Sequence, residues 1–248
     1  MTDRAVSEAL SFILVFSIVT LTVGIVYVGG FASLQDARDA ERFENAERAF
    51  DVLADNLADT YRDGAPSRAT ELKLADASIG FGPETEVTVS VDGDPPDSVS
   101  LEPIVYDAGT GRTLAYENGA VVRSEGETAF MVEEPELVFD ADENVVVVPI
   151  VQTRPTGDTS SLAGQSTVLV RTQLTRNELL SQYDSGPHSV TLTVTTTPAR
   201  ADAWERYLSD GVSAMGGSCT QSPPGEVSCS FSADTVYISA ARLDVTFE

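Results

Sequence analysis

Residues 9–35 read ALSFILVFSIVTLTVGIVYVGGFASLQ, a run without one Asp, Glu, Lys, Arg or His, preceded only by MTDRAVSE. As a helix, roughly 26 such residues at about 1.5 Å each extend about 39 Å, enough to cross a bilayer core of about 30 Å. The run is too long and too uniformly apolar for the core helix of a small domain. Three readings fit it: a secretory signal that is removed, a single-pass anchor, or a prepilin-type N-terminus whose short polar leader is clipped while the helix is kept. A removable signal wants a basic start and an apolar run of about 7–15 residues. Here the polar start holds a single basic residue, Arg4, and the run is far longer.

Working outward, the next segment is DARDAERFENAERAFDVLADNLADTY, Asp36 to Tyr61. Phe43, Ala46, Phe50, Leu53, Leu57 and Tyr61 recur three or four apart, and acidic and Arg residues fill the rest of the circumference. That is an amphipathic helix. No Gly or Pro falls between Phe31 and Gly64, so the two segments are expected to form one rod about 85 Å long. Gly64-Ala65-Pro66 supplies its stop, glycine suiting the C-cap and proline barring continuation. The expected organisation is residues 1–35 as leader and transmembrane helix, 36–63 as its amphipathic continuation, and 64–248 as an extracytoplasmic β-rich domain.

Arg4-Ala5-Val6-Ser7-Glu8 ahead of a long Leu/Ile/Val/Phe run resembles the N-terminus of haloarchaeal type IV pilin-like proteins. The resemblance covers about the first 60 residues and implies that Arg4 and Ala5 close a leader and Val6 begins the mature chain. It also implies one helix that serves first as anchor and then as the core of a filament. Many type IV pilins carry Glu five residues into the mature chain, whereas Glu8 would stand third. An acidic residue in a first helical turn is favoured by the helix dipole in any case. Ser17, Thr20 and Gly24 lie three and four apart, and small residues on one face let membrane helices approach closely.

Charge agrees with such an origin. The chain has 39 acidic and 15 basic residues, and Lys73 is its only lysine. Because only Asp3, Arg4 and Glu8 precede the apolar run, 37 acids and 14 bases lie from Asp36 onward, a net charge of −23. Such an excess opposes compaction in dilute buffer, as in halophile proteins, whereas at 1 M salt the Debye length is only about 3 Å. It also argues against nucleic acid and anionic lipid as partners, both of which need basic patches. A disordered acidic chain is excluded by 42% hydrophobic content arranged in regular short runs.

Those runs predict an α+β protein: the long helix, then an antiparallel, sandwich-like β domain with one further helix. Expected strands are 86–91, 98–106, 112–117, 120–123, 128–132, 144–151, 166–174, 189–196, 227–231, 236–239 and 242–247. Asn118-Gly119 predicts a hairpin between 112–117 and 120–123. The run Val145–Val148 reads as a central strand buried on both faces, and Asn177-Glu178-Leu179-Leu180 as a short helical turn. Thr197-Pro198 reads as an N-cap and first turn, followed by Trp204, Tyr207, Leu208, Val212 and Met215 on one core-facing side.

Chemistry is sparse. Cys219 and Cys229, the only cysteines, bracket a Gly/Pro/Ser-rich loop without neighbouring soft ligands, and a disulfide is expected. His188 is the sole histidine, which excludes multi-histidine metal sites and leaves one base with no nucleophile elbow. Gly109-Thr110-Gly111 is too short for a phosphate loop. Asp92, Asp94 and Asp97, or Asp140, Asp142 and Glu143, offer oxygen ligands for calcium, but neither matches a twelve-residue calcium loop. No Asn-x-Ser/Thr sequon occurs. The expectation is a non-enzymatic protein with no cofactor, metal, nucleic-acid partner or evident small-molecule substrate. It is placed in the cell membrane by a single pass with its C-terminal domain outside, alone or within an extracellular filament. Its partners would be the membrane and, through the first helix, copies of itself or other pilin-like subunits. The alternative is an anchored extracytoplasmic binding domain that does not polymerise.

Overall fold

The apolar run and the amphipathic segment are one helix, α1, Thr2–Tyr61. The computed structural model describes residues 2–109 and 111–248, the side chains of residues 2–9 and of Val28 excepted. Two units are distinguished: Met1–Asn45, which is helical throughout its described part, and Ala46–Glu248.

The second unit starts with the last turns of α1. Ala46, Phe50, Leu53 and Leu57 are buried, the stripe that the three-to-four spacing requires. Phe50 meets Tyr106 edge-on at 6.4 Å, and the Tyr106 hydroxyl donates to the Leu74 carbonyl at 3.0 Å. Asn56 donates to Thr70 Oγ1 at 2.9 Å, Arg123 binds Glu47 at 3.0 Å and Arg68 binds Asp59 at 3.2 Å. The helix end is therefore part of the domain's core rather than a linker to it.

The strands follow in chain order. They are β1 Ser67–Lys73, β2 Ala77–Phe81, β3 Thr85–Val91, β4 Asp97–Leu101, β5 Ile104–Asp107, β6 Arg112–Glu117, β7 Ala120–Glu125 and β8 Thr128–Glu133. Then come β9 Val138–Asp140, β10 Val145–Pro155, β11 Ser161–Gly164, β12 Thr167–Tyr183 and β13 His188–Thr195. After α2, Pro198–Ala214, the chain adds β14 Ser218–Gln221, β15 Glu226–Ala233 and β16 Thr235–Phe247. Three sheets result, ordered β1-β12-β16-β10-β9, β11-β2-β5-β6-β7-β8 and β14-β15-β13-β3-β4.

The expected α+β class, with a long helix, antiparallel sheets and one extra helix, is what is found. The β6–β7 hairpin turns at Asn118 and Gly119 with φ of +48° and +84°, the left-handed pair that Asn-Gly favours. A side chain at Gly119 would also approach Tyr61 Oη and Pro135.

Four expectations need correction. The single strand 98–106 is two, β4 and β5, in different sheets, because Pro103 has no N–H to continue a ladder. Residues 177–180 are not helical: they continue β12, paired with Leu179↔Ser239 and Glu178↔Ala240 in β16. The stretches 236–239 and 242–247 are one strand, β16, and its pairing with β10 is parallel while the other ladders are antiparallel. In β10 itself burial alternates, Val146 and Val148 fully buried and Val145 and Val147 half-buried. One face of β10 therefore packs into the core while the other stays partly open.

Helix α2 starts at Thr197, whose backbone is extended, with Pro198 in the first turn. Trp204, Leu208 and Val212 are fully buried, and Tyr207 and Met215 half-buried. Gly211 admits the Phe139 ring so closely that a Cβ there would collide with it.

Candidate functional site

The site the sequence points to is the surface of α1. From Leu10 to Leu34 the large apolar side chains are exposed on every side, Phe12 at 70% and Tyr27 at 73%. The mean hydropathy of the most apolar window is 2.4, and none of it is buried. This is one helix, near the N-terminus, long and apolar enough to cross a membrane. The helix pairs its own backbone, and Thr22 folds its hydroxyl onto the Ile18 carbonyl at 2.8 Å.

Ser17, Thr20 and Gly24 do share a face. With Gly29 they floor a shallow groove whose rims are Phe16, Leu21 and Ile25. A Cβ at Gly24 would meet nothing within 4 Å, so within one chain the position tolerates a larger residue. Arg4, Ala5, Val6 and Glu8 lie on the helical backbone of α1, but their side chains fall outside the described residues.

Cys219 and Cys229 face each other across β14 and β15 and form the disulfide. His188 opens β13 and gives its Nδ1 to Asp92 Oδ2 at 2.7 Å, while the Ser189 N–H donates to Asp92 Oδ1 at 2.8 Å. That hydrogen bond holds the His188 pKa above its ordinary value and the Asp92 pKa below its own. Asp92 thus spends both oxygens within the protein. Asp140 caps its own turn, accepting from the N–H groups of Asp142 and Glu143 at 3.0 Å each. Among the described residues, no three His, Cys, Asp or Glu side chains gather as a metal site would need. Thr110, centre of the Gly109–Gly111 motif, is outside the described residues.

Sequence reading missed a buried ionic cluster. Glu117, at the end of β6, is fully buried, as is Trp204; Arg200 is 6% exposed. Trp204 Nε1 donates to Glu117 Oε1 at 2.7 Å, Thr196 Oγ1 donates to Oε2 at 3.0 Å, and Arg200 Nε sits 2.6 Å from Oε2. The signal was present: stepping back four residues from Trp204 along its stripe gives Arg200, and a charge on an inward stripe demands a buried partner. The arrangement locks α2 to the β6 end: Glu117 is held by three donors inside the protein, while Arg200 Nη2 is buried with no hydrogen-bond partner among the described residues.

With the fold and these surfaces described, comparison with known proteins adds one finding. A family model described as "Family of unknown function (DUF7289)" matches residues 4–246. The chain belongs to that family. The match spans the apolar helix and the β domain together, so the two are parts of one family architecture. No curated protein and no solved structure matches the chain.

Proposed function

We propose that this DUF7289 member is a non-enzymatic, pilin-like cell-surface protein of a halophilic archaeon, a subunit or minor subunit of a type IV pilus-like filament. The observation that carries the reading is the single unbroken helix α1, apolar and exposed on all sides over residues 10–34 yet integral to the domain core from Ala46 onward. A simple anchor needs only the first property, joined to its domain by any linker. A filament built on a helical core needs both, because each domain must be held firmly to its own core helix. The charge of −24 with one lysine supports the saline habitat. The alternative, a solitary anchored domain, rests on the same apolar helix and differs in having no use for the Ser17, Thr20 and Gly24 groove.

The test is made in the native host. Intact mass of membrane-extracted protein is expected to lack Met1–Ala5; a chain starting at Met1 would refute processing, and one starting near Ser33 would indicate ordinary signal removal. Sheared filaments are expected to contain the protein. Gly24→Leu should insert normally, since nothing in the chain obstructs the new side chain, yet deplete the protein from filaments. Undiminished filament from that strain would rule out the groove as a seam, and absence of filament from the parent would favour the solitary anchor.

A further inference from the structure

A cleft of about 380 Å³ opens in the β domain between the edge strand β4 and the sheet surface of β10, β16 and β12. Near one end its walls are tied together. Gln152 Nε2 donates to the Ser100 carbonyl at 2.5 Å, and the Thr153 hydroxyl donates to the Glu102 carbonyl at 2.6 Å. Away from that tie the walls carry Asp97 on one side and Arg242, Arg176 and Glu178 on the other.

The sheet wall holds an arrangement that folding alone does not favour. Arg176 and Arg242 are direct cross-strand partners, and Gln152 is the partner of Arg242 on its other side. Like charges directly opposite each other destabilise a strand pair. With only 15 basic residues against 39 acidic ones, composition gives no reason for two arginines to coincide. Register shifts at Leu174/Arg176 and Leu179/Ser181 bracket this stretch of β12. Such bulges re-aim side chains and are frequent beside binding sites. Arg176 is engaged by Glu178 at 2.7 Å. Arg242 gives its Nε–H to Gln152 Oε1 at 2.8 Å, and its terminal amino groups donate to no protein group among the described residues. A guanidinium held by Nε with its far edge open is prepared for an oxyanion.

The carboxylates decide the class of ligand. Asp97 and Glu178 beside the arginines would repel a bare small anion but accept bonds from hydroxyls. The volume lies at the small end of ligand pockets, about 300–1,000 Å³. We propose that the cleft binds one acidic sugar residue, its carboxylate on Arg242 and Arg176 and its ring hydroxyls donating to Asp97 and Glu178. The Arg176 side chain is 58% exposed, so the cleft is open on that side and admits either a free uronate or a unit of a longer glycan. The proposal is independent of polymerisation through α1.

The experiment is saturation-transfer NMR on the full chain in detergent micelles, with D-glucuronate, D-glucose, acetate, L-leucine and a glucuronate-terminated disaccharide as probes. Glucuronate should bind at least about tenfold more tightly than glucose, acetate or leucine. Arg242→Gln and Arg176→Gln should each weaken it by about tenfold, equivalent to about 1.4 kcal/mol, whereas Arg171→Gln, whose partner is Glu248, should not. Removing one of the opposed charges should leave Tm unchanged or raised, which separates a binding role from a structural one; if one variant fails to fold, the other decides. Tighter binding of the disaccharide identifies a glycan unit and equal binding a free sugar, both supporting the proposal. No binding of glucuronate, equal or better binding of glucose, acetate or leucine, or retained binding in the folded arginine variants would overturn it.

Discussion

Replacing Arg200 with Met would leave the Glu117 carboxylate buried with no cation. The side chain of Arg200 is 7% exposed and that of Glu117 is wholly buried, so solvent cannot take over the lost role. Two of the carboxylate's partners survive, Trp204 Nε1 and the Thr196 hydroxyl, but both are neutral. Removing one partner of a buried pair costs about 3–5 kcal/mol. For a domain of this size, about 1 kcal/mol moves Tm by about 2–4 °C, so a fall of about 6–20 °C is expected. The double variant Glu117→Gln, Arg200→Met should recover most of that loss, since a neutral amide can keep the Trp204 and Thr196 bonds while the methionine fills the space. The assay is urea unfolding of the full chain in micelles, followed by fluorescence of Trp204, the only tryptophan and itself a member of the cluster. Because the pair is buried, the loss should be nearly the same in dilute buffer and in molar salt. A loss below about 1 kcal/mol, or a double variant as unstable as the sum of the singles, would refute the view that an unpaired buried charge is what α2 must avoid.

Salt should act strongly on the parent: with −23 from Asp36 onward, Tm is expected to climb steeply from dilute buffer to molar NaCl, and equal values would defeat the halophile reading. His188 should titrate above its ordinary value and fall back toward it in Asp92→Asn, as read by imidazole NMR shifts. Since its folded-state pKa is raised, the charged pair stabilises fully below about pH 6.5 and is lost as pH rises through the folded value. The lowered Asp92 pKa sets the other limit, its contribution fading as pH falls through that value, so the His188→Ala deficit should be widest in mildly acidic buffer. A deficit that grows above neutrality would contradict the assignment. Cys219→Ser should reduce stability by about 3 kcal/mol through the freed ten-residue separation; an unchanged unfolding midpoint would show the staple to be idle.

How much of this was legible in the sequence depended on periodicity. Both helices announced themselves through sustained spacing, and the β6–β7 hairpin through Asn-Gly, because each signal is local. The errors fell where a non-local partner overrides local preference. Asn177–Leu180 contains good helix formers, but β16 offers a ladder, and two bulges scramble the alternation that would have marked a strand. The joined strand 98–106 failed at Pro103, a breaker present in the sequence and underweighted there. The parallel pairing of β10 with β16 had no local signature, since it joins residues ninety apart such as Val145 and Thr235. Among the surfaces, the Ser17–Gly24 face and the disulfide were readable from spacing, whereas the Arg176–Arg242 pairing depends on strand register and appears only in the fold.

The burial of Ala46–Leu57 within the domain has a mechanical consequence. Tension applied to the N-terminal part of α1 is delivered along a continuous helix to side chains packed among strands and to the Asn56–Thr70, Arg68–Asp59 and Arg123–Glu47 contacts, all loaded in parallel. Extracting the helix would require these to fail together and would open the core. The domain therefore responds to pull as a cleat does to a rope: load on the anchor is resisted by shear across many contacts rather than by stretching of a tether. Between Leu10 and Tyr61 there is also no loop for a protease to cut, so cleavage within this stretch would have to begin with local unwinding of α1.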